Sequence, residues 1–278
     1  MKLWIDGTIV DLDEARISPL DRGITVGDGV FETLRVYRGV PFAWRRHYER
    51  LIASADALGL AVPDSDTLRA AADDVVGANG LDDGRLRITI SGGEGPPGSS
   101  RAGATPRAWI TAWPFTPWDG AADVVIAPWT RNERSATAGL KTISYAANVR
   151  ALAFAEQRGA GEALFANTSG NLCEATGSNV FVVHRGVLRT PPLTAGCLAG
   201  VTRGLMLELA HHIGVDAREA DVGMAEVATA DEAFLSSTTR EAQPIAQVDG
   251  QPLAHAPGPI TERLTDAFRA LVARNLDP

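Results

Sequence analysis

The chain has 278 residues, of which 45% are hydrophobic and 22% charged, and its formal net charge is −8. This composition is typical of a globular protein that buries a core, and the length suggests two domains. The negative charge argues against nucleic-acid binding, which needs a basic surface. No apolar run approaches the length of a membrane span, and Asp6 interrupts the place of a signal peptide's apolar region, so we expect a cytoplasmic protein.

The strands predicted in the first half of the chain are short and bounded by turns. They cover residues 3–10 (as a hairpin), 30–37, 86–90 and 108–112. The loop between the last two is rich in Gly and Pro over residues 92–98, and it is either a mobile lid or a disordered tip.

Two helices are predicted between these strands. Apolar residues at helical spacing indicate a helix over residues 44–58, which Gly59 ends. Asp64 is the expected N-cap of a second helix, which reaches about residue 78.

The turn-rich stretch around Pro114, Pro117 and Gly120 is the best candidate for a linker between domains. We therefore predict an N-terminal domain over residues 1–115, a linker over 116–122 and a C-terminal domain over 123–278. The predicted C-terminal elements are strands at 124–127, 163–166, 179–183, 187–189 and 233–237, and helices at 146–158, 201–213 and 260–274. Strands in runs with occasional helices indicate an α+β fold rather than strict βαβ alternation.

Cysteine and lysine are both scarce in this chain. Cys173 and Cys197 form no CxxC and lie in no cluster of metal ligands, so neither a disulfide nor a zinc site is expected. Only two of the 26 Lys+Arg residues are lysines, Lys2 and Lys141. This bias indicates GC-rich coding or surface adaptation rather than function. It leaves Lys141 as the one interior candidate for chemistry that needs an amine.

Lys141 and Glu174 are the candidates for cofactor chemistry. Lys141 precedes a predicted helix, and it is either a solvated surface lysine or an amine held in a partly desolvated pocket for Schiff-base chemistry. Glu174 lies among apolar neighbours within residues 167–181, so a buried carboxylate with a cationic partner is expected. That partner is either an arginine or the protonated nitrogen of pyridoxal phosphate (PLP), whose ring then acts as an electron sink.

Three segments are candidates to bind a phosphate group. Val201 and Thr202 open a helix, where backbone N–H groups and a hydroxyl form an anion site, although Thr202 is equally a candidate for ordinary N-capping. Residues 236–239 offer several hydroxyls in a row or form only a turn. Arg50 either binds a phosphate bidentately or belongs to a solvated helix face.

Taken in order, these segments resemble the fold-type IV PLP enzymes, the class IV aminotransferase family. The family includes branched-chain aminotransferases, D-amino acid aminotransferases, (R)-amine transaminases and aminodeoxychorismate lyases. The resemblance rests on residues 27–35, 47–51, 139–145, 167–181, 200–202 and 237–238. It implies a small N-terminal α/β domain, a larger C-terminal pseudo-barrel α/β domain, PLP in the cleft between them, and a homodimer.

The resemblance also implies roles for individual residues. Lys141 would carry the Schiff base and move a proton between Cα and C4′, Glu174 would pair with the pyridinium, and Tyr145 would hydrogen-bond the ring O3′. The phosphate would be held by Arg50, Val201, Thr202, Ser237 and Thr238. The candidate substrate-binding residues are Thr33, Arg35 and Arg87, and each of the two arginines either holds a substrate carboxylate or forms a structural ion pair. No metal is expected, because the pair at residues 211–212 has no third ligand nearby in sequence.

The expected reaction transfers an amino group from a small donor, of D-amino acid or (R)-amine type, to a 2-oxo acid. Residues 29–35 are most similar to the D-amino acid and lyase branches, and residues 86–92 to the lyases. Ser144 stands where those branches usually carry Asn, and the 92–101 loop contains Arg101 but no His, so the Arg-x-His carboxylate trap of D-amino acid enzymes is missing. The alternatives are aminodeoxychorismate lyase, which forms p-aminobenzoate and pyruvate, and a PLP-binding protein without turnover.

Overall fold

The computed structural model describes all 278 residues, which form two compact units. The first unit consists of Met1–Thr116, Leu140–Tyr145 and Arg274–Pro278, and the second of Pro117–Gly139 and Ala146–Ala273. The predicted division had assigned residues 140–145 and 274–278 to the C-terminal domain. Residues 140–145 belong instead to the first unit because they pair with one of its strands.

The first unit is built on a six-stranded antiparallel sheet in the order β2-β1-β6-β5-β3-β4. Its strands are β1 (Lys2–Ile5), β2 (Thr8–Asp11), β3 (Gly29–Tyr37), β4 (Val40–Pro41), β5 (Asp83–Ser91) and β6 (Arg107–Pro114). Its helices are α1 (Arg22–Thr25), α2 (Trp44–Leu58) and α3 (Ser65–Ala78). Helix α2 has the predicted bounds, and α3 begins after Asp64, whose carboxylate accepts from the backbone N–H of Thr67 as an N-cap.

Residues of β3, β5 and β6 alternate between the two faces of this sheet. Most even-numbered residues are apolar and buried, such as Leu34, Leu86 and Ile110, and these pack in one cluster with α2 and α3. The odd-numbered residues of β3 and β5 put arginine, threonine and aromatic side chains on the opposite face, among them Phe31 and Arg87. The polar face therefore carries several of the predicted site residues of this unit.

The segment at residues 140–145 extends the sheet at the beginning of β3. Thr142 forms an antiparallel bridge with Val30, and the backbone N–H of Phe31 donates to the carbonyl of Lys141 at 3.0 Å. The N–H of Ile143 donates to the carbonyl of Gly29, also at 3.0 Å. This pairing fixes the backbone of Lys141 against β3.

The second unit is built on a nine-stranded mixed sheet. Its strands are β7 (Ala122–Arg131), β8 (Glu162–Asn167), β9 (Leu172–Ala175), β10 (Asn179–His184), β11 (Val187–Thr190), β12 (Ala217–Glu219), β13 (Glu232–Ser237), β14 (Glu241–Val248) and β15 (Gln251–Pro252). Eight strands follow the order β12-β11-β10-β13-β14-β7-β8-β9, and β15 pairs with β14. Strand β7 pairs in parallel with both β8 and β14.

The helices of the second unit cover its apolar strands. They are α4 (Ala146–Glu156), α5 (Val201–His212), α6 (Met224–Val227) and α7 (Pro259–Arg274), with a 3-10 turn at Leu193–Ala195. Ala151 and Ala155 of α4 pack with Val125, Ala163 and Phe165 in one buried cluster. None of the helices combines the length and the apolar character needed to cross a membrane.

Strand β7 is longer than the predicted strand at 124–127. Pro128 interrupts the alternating pattern, which is why the sequence indicated only a short strand. The pairing with β8 resumes after an irregularity between Ile126 and Thr130 and continues to Arg131. This extension places the Arg131 side chain close to β9.

Candidate functional site

Lys141 lies beside the beginning of β3, on the polar face of the first sheet. Its side chain is half-buried. Its Nζ atom lies 4.3 Å from the centroid of the Phe31 ring, a cation–π contact. Its backbone N–H donates to the hydroxyl of Ser54 on α2 at 3.2 Å. The chain therefore holds the amine beside an aromatic ring rather than on a solvated face.

Arg87 contacts the same phenyl ring as Lys141. Its guanidinium carbon lies 3.8 Å from the Phe31 centroid, and its Nε donates to the hydroxyl of Thr89 at 3.2 Å. No carboxylate lies within ion-pair distance of Arg87, and burial lowers the pKa of its guanidinium. A half-buried cation without a carboxylate partner is suited to bind an anionic ligand.

Two other predicted residues lie beside Arg87 and Phe31. Thr33 faces Arg87 across the strand pair β3–β5. The ring of Tyr145 packs edge-on against Phe31, with 5.3 Å between centroids, and Tyr145 is 36% exposed. The first unit thus brings Thr33, Arg87, Lys141 and Tyr145 together around one phenylalanine.

Arg35 lies on the same face of β3 but at its other end. It donates to the carboxylate of Asp83 and, at 2.8 Å, to the carbonyl of Gly84. Its guanidinium stacks on the rings of Tyr37 and Phe115, 4.8 and 3.4 Å from their centroids. Arg35 therefore forms the structural ion pair that the sequence allowed as its alternative role.

Arg50 takes part in a buried ion cluster on the opposite face of β3. Its Nε and Nη2 atoms each donate to Glu32 at 2.7 Å, and Nδ1 of His47 lies 2.7 Å from the same carboxylate. Burial would raise the pKa of Glu32, but the charge and hydrogen bonds of Arg50, together with His47, outweigh it and lower that pKa from 4.5 to about 2. Arg50 is thus held in one orientation by a carboxylate that stays ionised.

Glu174 lies on β9, buried, and has an arginine partner within its own unit. Its Oε1 atom is 3.1 Å from Nη1 of Arg131, and its Oε2 atom accepts from the backbone N–H of Leu198 at 2.9 Å. Arg131 also stacks on Phe165, 4.6 Å from the ring centroid, and donates to Asn148 at 3.1 Å. The carboxylate is thereby fixed in position by a cation and a backbone N–H.

Cys173 and Cys197 are both free and buried; Cys173 directly precedes Glu174, and Cys197 precedes Leu198, whose backbone N–H donates to Glu174. Burial raises the pKa of the Cys173 thiol and raises that of Cys197 to about 11. Neither thiol is therefore ionised to a useful extent near neutral pH.

The beginning of α5 has the geometry of an anion site. Gly200 is its N-cap and brings no side chain, so the backbone N–H groups of Val201 and Thr202 open the helix without a side-chain cap. A Cβ at Gly200 would lie 2.0 Å from Oδ1 of Asn179, so any other residue here would have to displace the Asn179 side chain. Asn179 also donates to the carbonyl of Leu198 at 2.9 Å, which fixes the turn before the helix.

The end of β13 lies next to Asn179, since Ser236 is its partner across the strand pair β10–β13. The hydroxyl of Ser236 is buried and has no hydrogen-bond partner within the chain. Ser237 follows it and accepts from the backbone N–H of Arg240 at 3.2 Å, and Thr238 begins the turn. A buried hydroxyl without a partner is uncommon, and here it stands beside the predicted phosphate-binding residues.

The predicted site residues thus fall into two sets. Thr33, Arg35, Arg50, Arg87, Lys141 and Tyr145 lie in the first unit, and Glu174, Val201, Thr202, Ser237 and Thr238 in the second. The sequence interpretation missed Arg131 and Asn148, whereas Ser236 belongs to the run of hydroxyls at residues 236–239 that it considered. A buried Glu174 predicts a cationic partner, but the sequence does not identify Arg131, because several other arginines also lie in strands.

The side chains of both sets fit the PLP that the family resemblance implies. The first set supplies an amine and the second a buried carboxylate. The glycine-capped start of α5 and the unpartnered Ser236 hydroxyl are a donor set suited to a phosphate. The geometry within each unit is therefore compatible with PLP.

Comparisons with known proteins identify the family. The sequence profile described as amino-transferase class IV matches residues 29–248. The chain is 32% identical over 275 residues to D-alanine aminotransferase of Bacillus licheniformis, covering 97% of this chain and 96% of that protein. It is 31% identical over 284 residues to the branched-chain-amino-acid aminotransferase of Escherichia coli K12, covering 97% and 92%.

A solved structure gives the same result for the fold. The branched-chain amino acid aminotransferase of Thermobaculum terrenum in its PLP form superposes with a TM-score of 0.91 at 31% identity, covering 99% of this chain and 94% of that one. The predicted α+β fold of type IV is thereby confirmed, and so are PLP as cofactor and the aminotransferase class. The chain belongs to the class IV aminotransferases.

Proposed function

We propose that this aminotransferase moves an amino group from a small D-amino acid or (R)-amine donor to a 2-oxo acid. The observation that carries the proposal is Arg87, a half-buried cation without a carboxylate partner that contacts the same ring as Lys141. A carboxylate bound to Arg87 would lie next to the reactive amine, as a 2-oxo acid requires. The similarity of residues 29–35 to the D-amino acid branch supports the choice of donor.

PLP, when bound, supplies an aldehyde that captures amines and a protonated ring that withdraws electrons from the substrate Cα. In our proposal Lys141 is the residue that binds the cofactor covalently. Nζ of Lys141 would also be the base that moves the proton at Cα of the donor. The amine is effective because the backbone pairing with β3 holds it at one place, which lowers the entropy cost of the proton transfer.

Glu174 is proposed to keep the ring nitrogen protonated. Its carboxylate is oriented by Arg131 and by the N–H of Leu198, so it does not need to reorganise when the cofactor binds. Tyr145 is proposed to donate to the ring O3′. We assign the phosphate to Arg50 and to the second-unit residues Val201, Thr202, Ser237 and Thr238.

The role of Lys141 is tested by Lys141→Ala, with Lys2→Ala as the matched control because it removes the only other lysine. We expect Lys141→Ala to lose turnover and the visible absorbance of the lysine-bound cofactor, while Lys2→Ala keeps both. Borohydride reduction of the wild-type protein should add the cofactor mass to the peptide that contains Lys141. Turnover and absorbance retained in Lys141→Ala would refute the assignment.

The lyase remains the second candidate, since residues 86–92 are similar to that branch and the same Lys and Glu serve both reactions. Incubation with D-alanine and 2-oxoglutarate should yield pyruvate and glutamate. Incubation with aminodeoxychorismate should yield no p-aminobenzoate. p-Aminobenzoate in the second incubation with no pyruvate and glutamate in the first would support the lyase. No product in either incubation, with PLP bound, would support a PLP-binding protein without turnover.

We also propose that the enzyme is a homodimer. Leu20, Ile24 and Val26 are 55%, 62% and 45% exposed and lie within seven residues of one another. Apolar side chains grouped in this way are typical of a surface that a partner covers. Light scattering on the purified protein should give the mass of two chains, and a monomer would contradict the proposal.

A further inference from the structure

The loop at residues 92–103 is folded around a buried arginine. Arg22 is 2% exposed, and its Nη1 atom donates to the carbonyls of Pro96 at 3.1 Å and Ser100 at 2.8 Å. Its backbone N–H donates to the carbonyl of Gly93 at 2.8 Å. The loop is therefore packed on Arg22 along much of its length and is not the disordered tip that its composition allowed.

Arg101, the only arginine of the loop, is held by Asp28. Its Nη2 and Nε atoms donate to the two oxygens of Asp28 at 2.6 and 2.8 Å, and its Nη1 atom donates to the carbonyl of Gly59 at 3.0 Å. Nε of Arg22 donates to the same carboxylate at 2.9 Å. Arg101, followed by Arg22, outweighs the effect of burial and holds the pKa of Asp28 below its usual value.

The backbone around Asp28 contacts both the loop and the lysine segment. The N–H of Gly92 donates to the carbonyl of Asp28 at 2.8 Å. The hydroxyl of Ser144 donates to the carbonyl of Gly27 at 2.8 Å, and the N–H of Ile143 donates to the carbonyl of Gly29. A Cβ at Gly92 would lie 2.5 Å from Oδ2 of Asp28, so a larger residue at position 92 would have to displace this carboxylate.

We propose that Asp28 is a positioning residue that keeps the 92–103 loop closed as a fixed wall and withholds Arg101 from substrate carboxylates. Carboxylate recognition in this unit then falls to Arg87, and this part of the inference rests on the proposed function. Opening the loop would separate the Asp28 carboxylate from a bidentate partner, and a partly buried charge that loses its partner is costly. The loop therefore stays closed between turnovers and is not a lid.

The loop is tested by limited trypsin digestion of the PLP-loaded enzyme. Asp28→Asn should be cleaved after Arg101 on the order of tenfold faster than wild type, because the loop opens more often. Asp73→Asn, which removes a carboxylate paired with Arg69 on α3, is the control and should be cleaved at the wild-type rate. Equal cleavage of Asp28→Asn and wild type would overturn the proposal.

The second variant is Arg101→Met, which removes the guanidinium that the loop contributes to the ion pair with Asp28. Arg22 then remains as the partner of Asp28. The value of kcat/KM for a 2-oxo acid should change by less than about threefold, since Arg101 does not touch substrate. A fall on the order of tenfold or more, confined to carboxylate-bearing substrates, would show that Arg101 binds them and would refute the proposal. If the wild-type enzyme does not transaminate at all, the proposed function fails, while the trypsin result still decides the state of the loop.

Discussion

The two ends of the polar face of the first sheet place arginine in opposite environments. At the end of β3, Arg35 has a carboxylate partner, carbonyl acceptors and two aromatic rings. Arg87 on the neighbouring strand stands opposite Thr33, and its guanidinium reaches the Phe31 ring nearer the beginning of β3; it has a threonine hydroxyl but no carboxylate.

The contrast separates a structural arginine from one available to a ligand. The guanidinium of Arg35 has a carboxylate partner, Asp83, within the chain, although its buried Nε atom has no hydrogen-bond partner, so a substrate carboxylate would have to compete with Asp83. The environment of Arg87 leaves a cation partly desolvated and uncompensated, which is costly unless an anion binds. Sequence spacing alone does not distinguish the two, because both arginines lie in apolar-rich strands.

Arg50, which we assign to the phosphate, also has a carboxylate partner, and this partner, Glu32, is fully buried. We expect Glu32→Gln to lower the free energy of unfolding by about 3–5 kcal/mol, because it leaves a buried cation without its anion. Urea denaturation measures the change. Glu49→Gln, which removes a carboxylate paired with Arg45 on the exposed face of α2, should cost less than about 0.5 kcal/mol.

The same pair predicts how stability depends on pH. Because the pKa of Glu32 falls from 4.5 to about 2 on folding, its contribution is fully present above about pH 4.5 and is lost as the pH falls towards 2. The acid-induced loss of stability should therefore be smaller in Glu32→Gln than in wild type over that interval. Parallel pH profiles for the two proteins would contradict the assignment.

Arg87→Met should produce the next largest effect. Loss of a charge-assisted contact to the substrate carboxylate lowers kcat/KM for a 2-oxo acid roughly 10- to 100-fold, about 1.5–3 kcal/mol. Stability should be unchanged or slightly higher, since an uncompensated cation is removed. Arg85→Met is the control, because Arg85 is an exposed residue of the same strand and face. A similar loss of kcat/KM in both variants would show that Arg87 does not bind the substrate carboxylate specifically.

Arg35→Met should have the smallest effect. Unlike Arg87→Met, it should lower stability and leave catalysis nearly unchanged. It removes hydrogen bonds to Asp83 and Gly84, so we expect the free energy of unfolding to fall by about 1–2 kcal/mol. The folded enzyme should keep its kcat/KM for 2-oxo acids within about threefold. If kcat/KM instead falls as far as in Arg87→Met, both arginines bind substrate and the contrast between the two ends fails.

The helices and the local parts of the site could be predicted because their signals are local. Helix α2 follows from its apolar spacing, and the cap at Asp64 and the glycine before Val201 are read from neighbouring residues. Lys141 and Glu174 were identified by residue type and context.

The contacts that connect distant residues could not be predicted from these patterns. The pairing of residues 140–145 with β3 is made by backbone groups more than a hundred positions apart, and it carries no side-chain signature. The partnership of Arg131 with Glu174 depends on a strand that continues past Pro128. Asp28 gave no signal either, since one aspartate between two glycines resembles an ordinary turn.

The burial of both native cysteines has a practical consequence. A thiol whose pKa is raised by burial reacts slowly with maleimides, because the thiolate is the reactive form. A cysteine introduced at the exposed Ser99 would therefore be the one fast-labelling thiol of the chain. A fluorophore or spin label attached there would follow the 92–103 loop directly during catalysis, without first removing Cys173 or Cys197.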